Sequence, residues 1–169
     1  MATTATPYGL KAVNHIGGTP YAGSTRLLPI ASAYGTNIYN GSIVAIVAAN
    51  LGTVVFRNNW PTGTVADDAQ AYIIDDPDVV FMAQADGAVT QADLGQNTNF
   101  AAVQSTTTGD TTNGNSNSAV SSTTATTATI AFRIVDFVDS PTSTVGDAFT
   151  DLLIKFNAGI HSYDNATGI

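Results

Sequence analysis

Apolar and polar residues alternate with a period of two through three stretches of this chain, and the clearest lies at its centre. Val79, Phe81 and Ala83 fall on one face, with Val80, Met82 and Gln84 on the other. That spacing is the signature of a β-strand. One face is fit for a core and the other half fit, as in a sheet that also meets a neighbour. Just upstream, Ala71 to Ile74 is a second short apolar run. Between the two stands Asp75-Asp76-Pro77-Asp78, which is turn chemistry, because proline fixes its φ and aspartate bonds its own backbone. The pattern predicts two strands joined by a tight acidic turn, the second ending at Asp86-Gly87.

Further strands follow from the same reasoning. Arg26 to Ala31 reads as a first strand, confined to an edge or bulge by Pro29. Ser42 to Ala48 is a near-continuous apolar run that turns at Asn50-Leu51-Gly52 and returns through Thr53 to Phe56, a second hairpin. Thr90 to Gly95 carries a capping-box spacing, Thr90 with Asp93, and predicts one turn of helix. Thr126 to Asp139 reads as the longest strand. Its alternation of Ala128, Ile130, Phe132 and Ile134 slips at Val135, so a β-bulge is expected near Val135 or Asp136. Phe149 to Asn157 closes the fold, with Leu152, Ile154 and Phe156 inward. About eight short strands with almost no helix predict an all-β fold, a single small barrel or sandwich.

The remaining segments lack periodicity. In residues 1 to 25 the apolar residues Tyr8, Leu10, Val13, Ile16 and Tyr21 stand singly among glycines and prolines. This reads as an extended N-terminal arm whose isolated anchors Tyr8, Leu10, Val13 and Ile16 dock on another surface, so that deleting residues 1 to 20 should leave the melting transition nearly unchanged. Residues 104 to 129 hold ten Thr and five Ser with Val120 as the one large apolar side chain. Such a tract predicts an exposed loop or an extended edge ribbon. The chain thus divides into an arm at 1–25, a β domain at 26–157 and a tail at 158–169.

Composition sharpens the picture. All thirteen acidic residues are Asp, and lysine occurs only at Lys11 and Lys155. Glu and Lys are strong helix formers, so their scarcity beside abundant Thr, Val and Gly agrees with an all-β chain. At 169 residues, one domain can bury about 70% of its unfolded surface. A net charge of −8 works against nucleic acid or an anionic membrane as a partner. No apolar run approaches the ~20 residues that span a bilayer. The N-terminal residues lack the pattern of a signal peptide, so a soluble protein made in the cytoplasm is expected.

Candidate chemistry is sparse. A nucleophilic triad needs an activating base, usually histidine, and His15 and His161 both lie in terminal segments. There is no cysteine, which removes disulfides and thiolate metal sites. Asp75, Asp76 and Asp78 offer oxygens of the kind calcium takes, but the loop spacing with its closing Glu is absent and an ordinary acidic turn is the stronger reading. Trp60, before Pro61, reads as a plug at the edge of a core. No catalytic, metal or cofactor residue is assigned, and an enzyme is not expected.

Several blocks nevertheless carry a resemblance. Pro7-Tyr-Gly-Leu10, Val13-Asn-His-Ile-Gly-Gly18, Ile30 to Tyr39 with Gly41, Asp75-Asp-Pro77 through Val80-Phe81 to Gln84-Ala-Asp-Gly87, and Gly95-Gln-Asn97 together resemble tailed-phage capsid decoration, or cement, proteins of the β-barrel or β-tulip kind. The similarity runs through most of residues 7 to 157. It departs at Ser42, where the family often has Asp, and in the Ser/Thr tract. The resemblance implies a virion protein on the capsid exterior, a homotrimer that bridges neighbouring major capsid proteins, with no cofactor. Two other classes remain open on the residues: a tail or neck component of the virion, and a carbohydrate-binding or adhesin module using Trp60 and Tyr72.

Overall fold

β4, Val79–Gln84, has five of its six residues buried, because it is flanked on both edges and covered on both faces. In the computed structural model, which describes residues 4–43, 60–65, 69–101, 109–161 and 164, the protein is all-β. The other strands are β1 (Lys11–His15), β2 (Arg26–Pro29), β3 (Gln70–Ile73), β5 (Asn97–Phe100), β6 (Val120–Ala125), β7 (Phe132–Phe137) and β8 (Asp151–Phe156), with one 3-10 turn at Gln91–Asp93. Six strands form an antiparallel sheet in the order β1-β4-β8-β7-β5-β6, and β2 and β3 form a separate two-stranded ribbon.

The alternation within β4 is used on both faces. Val79, Phe81, Ala83 and the following Ala85 enter the core with Leu152, Ile154, Phe132, Ile134, Val89 and Val120. Phe81 is paired with Ile154 and Ala83 with Leu152 across the β4–β8 ladder. The ring of Phe156 meets Phe81 edge-on at 5.8 Å and Phe132 at 4.8 Å, geometries favoured by the quadrupoles of the rings. On the opposite face Gln84 stands directly across from Asp151. Gln84 accepts the Thr6 amide at 2.9 Å and Asp151 accepts the Tyr8 hydroxyl at 2.9 Å.

Those two bonds correct the expectation of a free arm. Residues 6–15 belong to the body: Leu10 is buried in the core, and β1 adds an edge strand to β4 with Val13 at a register shift. Gly9 explains the tight approach. Its φ is +76°, and a Cβ there would lie 2.8 Å from the Gly41 carbonyl oxygen and 2.9 Å from the Ser116 Cβ. Only glycine accepts that conformation without strain and still lets the Leu10 amide reach the Gly41 carbonyl at 3.0 Å.

The sheet curls until its far end meets β4 again. Ala85 and Val120 form a single parallel bridge, the Asp86 amide donates to the Val120 carbonyl at 2.9 Å, and the Ser122 amide donates to the Asp86 carboxylate at 2.7 Å. One bridge is no ladder, so among the described residues the sheet does not close into a barrel. The expected bulge is present, between Ile134 and Asp136. The expected helical turn is present too, with the Thr90 amide and hydroxyl both donating to the Asp93 carboxylate at 2.9 Å. The longest strand is shorter than its alternation suggested and starts at Phe132. Part of the Ser/Thr tract becomes β6, the outer strand of the sheet, and Ser116 and Ser118 are fully buried with their hydroxyls 2.7 Å apart. The hairpin expected at 42–56 lies almost wholly outside the described residues.

The acidic turn does not join a hairpin. β3 pairs with β2 and β4 pairs with β1 and β8, so the chain changes sheets at Asp75–Asp78. The ribbon continues past its regular part through Ile30 to Ala69, Ala33 to Thr64 and a two-way exchange between Ile38 and Trp60. Its end is tied to the body where the Asn40 amide donates to Gly114 and the Ser116 amide donates to Asn40, both at 2.8 Å.

Because Leu10 is a core residue, Leu10→Ala should lower unfolding free energy by about 2–5 kcal/mol, read as a shifted urea midpoint. The same substitution in a detachable arm would leave the midpoint unchanged.

Candidate functional site

The residues around Asp75–Asp78 bring together charges from three elements. Asp76 shapes the turn, its carboxylate accepting the Asp78 amide at 2.8 Å, as short acidic side chains do. Each aspartate then faces a basic side chain from elsewhere. His15 at the end of β1 stands 3.4 Å from Asp76, Arg26 at the start of β2 is 2.7 Å from Asp75, and Lys155 near the end of β8 is 2.8 Å from Asp78. The Ile16 amide also donates to the Asp78 carbonyl at 2.8 Å. The turn is therefore a meeting point for the N-terminal strand, the ribbon and the last strand.

The electrostatics follow from those contacts. The hydrogen bond from Lys155, and then its charge, hold the Asp78 carboxyl below its ordinary value of 3.8. Asp93 is held below the same value by the Thr124 hydroxyl, then the Thr90 amide and hydroxyl. Burial, with Asp76 and Asp75 adding to it, pushes the Tyr21 phenol upward; its hydroxyl donates to the Ser24 carbonyl. At the opposite end of β4, burial and then the Asp151 carboxylate push the Tyr8 phenol up strongly. That phenol stays a neutral hydrogen-bond donor.

Apolar side chains surround the charged turn. Leu27 and Tyr72 are cross-strand partners in the ribbon and are 48% and 74% exposed. Ile16, bonded to the turn through its amide, is 47% exposed. Facing residues of an antiparallel pair project to the same side, so Leu27 and Tyr72 form one apolar patch, on the face of the ribbon opposite to Arg26 and Ile73. An exposed apolar pair on one face of the ribbon suits a small protein-binding surface.

The four anchors expected in the arm are dispersed by the fold. Tyr8 is half-buried against Asp151, with the Lys11 ammonium 4.3 Å from its ring centre. Leu10 is in the core, Val13 is half-buried at the β1 register shift, and Ile16 alone is exposed. The Leu27–Tyr72 pair went unpredicted. Each residue lies in a run that reads as a strand, but their pairing spans some forty positions and leaves no local trace.

Trp60 and Tyr72 do not form a sugar platform as a pair. Trp60 is partly buried, its indole N–H is enclosed without a partner, and it sits at the Ile38 bridge, whereas Tyr72 projects from the regular part of the ribbon. Among the described residues no group of three or more His, Asp or Glu is placed to hold a metal ion. Comparison of the chain with models of known protein families, with curated proteins and with solved structures returns no match.

The lowered Asp78 and Asp93 carboxyls set a direction for acid stability. A group whose folded pKa is depressed stabilises the fold above its unfolded pKa, and that contribution disappears as pH falls through the folded value. Denaturant midpoints should therefore fall as pH drops below 3.8, the ordinary value for both groups. Asp93→Asn should lower the midpoint at neutral pH, because an amide oxygen accepts the Thr90 and Thr124 bonds more weakly than a carboxylate, and should flatten the acid limb. A variant with the parental acid limb would show that Asp93 is not among its causes.

Proposed function

We propose that this chain is a structural protein of a tailed-phage virion, a decoration or cement protein that sits on the outside of the head as a homotrimer and bridges neighbouring major capsid proteins. The observation that carries this reading is where the resemblance falls. Its blocks are the places at which the fold interlocks. Gly9-Leu10 from one block closes on Gly41 from another. The Asp75–Gly87 block is the sheet-changing turn, the buried central strand and the Asp86 bond to Ser122. Gly95 and Gln96 exchange bonds with Ile134. Residues shared for architectural reasons are what a common scaffold would require, and they support family membership more than any single role.

The contact with the head is assigned to a different surface from the one the arm suggested. Leu10 is committed to the protein's own core, so the attachment surface centres on the exposed pair Leu27 and Tyr72. These side chains are exposed, and their burial against a capsid subunit would contribute favourable transfer free energy at ~25 cal/mol per Å². Three copies acting together would multiply a modest contact into strong attachment.

The test mixes purified protein with heads that lack it and measures occupancy by cryo-electron microscopy, alongside sedimentation equilibrium for the trimer. The proposal expects density at threefold or quasi-threefold positions. The paired substitution Leu27→Asp with Tyr72→Asp should weaken binding by roughly 10-fold or more, equivalent to about 1.4 kcal/mol, while the melting transition changes little. Absence of the parental protein from heads, with binding to tail or neck particles, would replace the decoration role by a tail or neck one. Full occupancy by the double variant would remove the ribbon as the attachment surface.

A further inference from the structure

The chain contains two Asn-Gly steps, Asn40-Gly41 and Asn113-Gly114, and the fold treats them differently. In such a step the main-chain nitrogen of glycine can attack the side-chain amide carbon of asparagine, because no Cβ shields the approach. The Gly N–H gives its proton to solvent, the N–Cγ bond forms, the Cγ–Nδ2 bond breaks and ammonia leaves. Water then opens the cyclic imide at either carbonyl, leaving aspartate or an isoaspartate whose main chain runs through the side-chain carbon. One water is consumed, one ammonia is released and nothing is oxidised or reduced.

At Asn113 every participating atom is held. Its Nδ2 donates to the Asp110 carboxylate at 2.7 Å and its Oδ1 accepts the Asn115 amide at 2.8 Å. The Gly114 N–H, which would be the nucleophile, donates to the Asp110 carbonyl at 2.7 Å, and Gly114 is buried. Asn40 is exposed, and its side chain has one longer bond, Nδ2 to the Asn115 Oδ1 at 3.2 Å. The Gly41 N–H donates to no described residue. We propose that Asn40 is a site of spontaneous deamidation in the folded protein and that Asn113 is protected by its turn.

The position gives the change a structural consequence. The Asn40 amide donates to Gly114, the Ser116 amide donates to the Asn40 carbonyl, and the Leu10 amide donates to the Gly41 carbonyl. These bonds tie the end of the ribbon to the body. Aspartate at 40 removes the donor to Asn115 and places a carboxylate beside its Oδ1. Isoaspartate adds a methylene to the main chain between the Asn40 amide and the Gly41 carbonyl, so the three bonds no longer share one register. Slow conversion would loosen the ribbon end with the age of the protein and add one negative charge.

The experiment incubates the folded protein in mildly alkaline buffer, with a second sample in denaturant, and follows both sites by peptide mapping and isoaspartyl methyltransferase labelling. The expected result is conversion at Asn40 several-fold faster than at Asn113 in the folded sample, and comparable rates in denaturant. Amide hydrogen exchange on the aged sample should show faster exchange at Leu10 and Ser116 in the isoaspartyl fraction. Asn113 converting as fast as Asn40 in the folded protein, or Asn40 converting only in denaturant, overturns the site. Unchanged exchange at Leu10 and Ser116 in the isoaspartyl fraction overturns its consequence for the ribbon.

Discussion

The burial of β4 on both faces and both edges is the constraint on which the rest of the structure depends. Val79, Phe81 and Ala83 fill the core, while Val80 and Gln84 are buried on the opposite side. Burying one large apolar side chain contributes about 1.5–3 kcal/mol, whereas an exposed ion pair contributes about 0.2–1 kcal/mol. The two ion pairs and the His15–Asp76 contact around Asp75–Asp78 therefore do not hold the fold together. Their effect is to orient: they set where β1, the ribbon and β8 converge once the central strand has been covered. A strand paired on one edge only and bare on one face would leave Val80 in water and Gln84 without its Thr6 partner, and the N-terminal residues supply what is missing.

Much of this architecture was legible from alternation. The central strand, the last strand, the bulge after Ile134 and the single turn at Thr90 all announced themselves, because each depends on neighbours close in sequence. β1 did not. Its burial pattern has no clean alternation, since the register shift at Val13 breaks the period, and glycines on either side made the segment look detached. The Ser/Thr tract supplies the edge strand β6, as its edge-ribbon reading allowed, but the burial of Ser116 and Ser118 was not legible. Its composition argued for solvent, yet the Ser116 and Ser118 hydroxyls satisfy one another and the Ser118 amide, which makes burial of small polar residues inexpensive. Pairing of Leu27 with Tyr72 was invisible, because the partner of a strand is a tertiary property once the turn between them is gone.

The same distinction separates the scaffold from the surface that would work on it. Residues that close the fold include Gly9 against Gly41 and Asp86 against Ser122. The exposed Leu27, Tyr72 and Ile16 contribute little to stability and remain available for contact. The proposed decoration role would use both properties at once, a body that survives without the partner and a small exposed apolar patch.

The claim that β1 completes the buried environment of β4 is tested most directly by native-state hydrogen exchange resolved to single amides. The account predicts that the protected amides of Lys11–His15 exchange only in the opening that also exposes Val79–Gln84, with the same denaturant dependence, as one cooperative unit. Exchange of the β1 amides at loop-like rates while β4 stays protected would contradict it, and would return the N-terminal residues to the status of a separable arm.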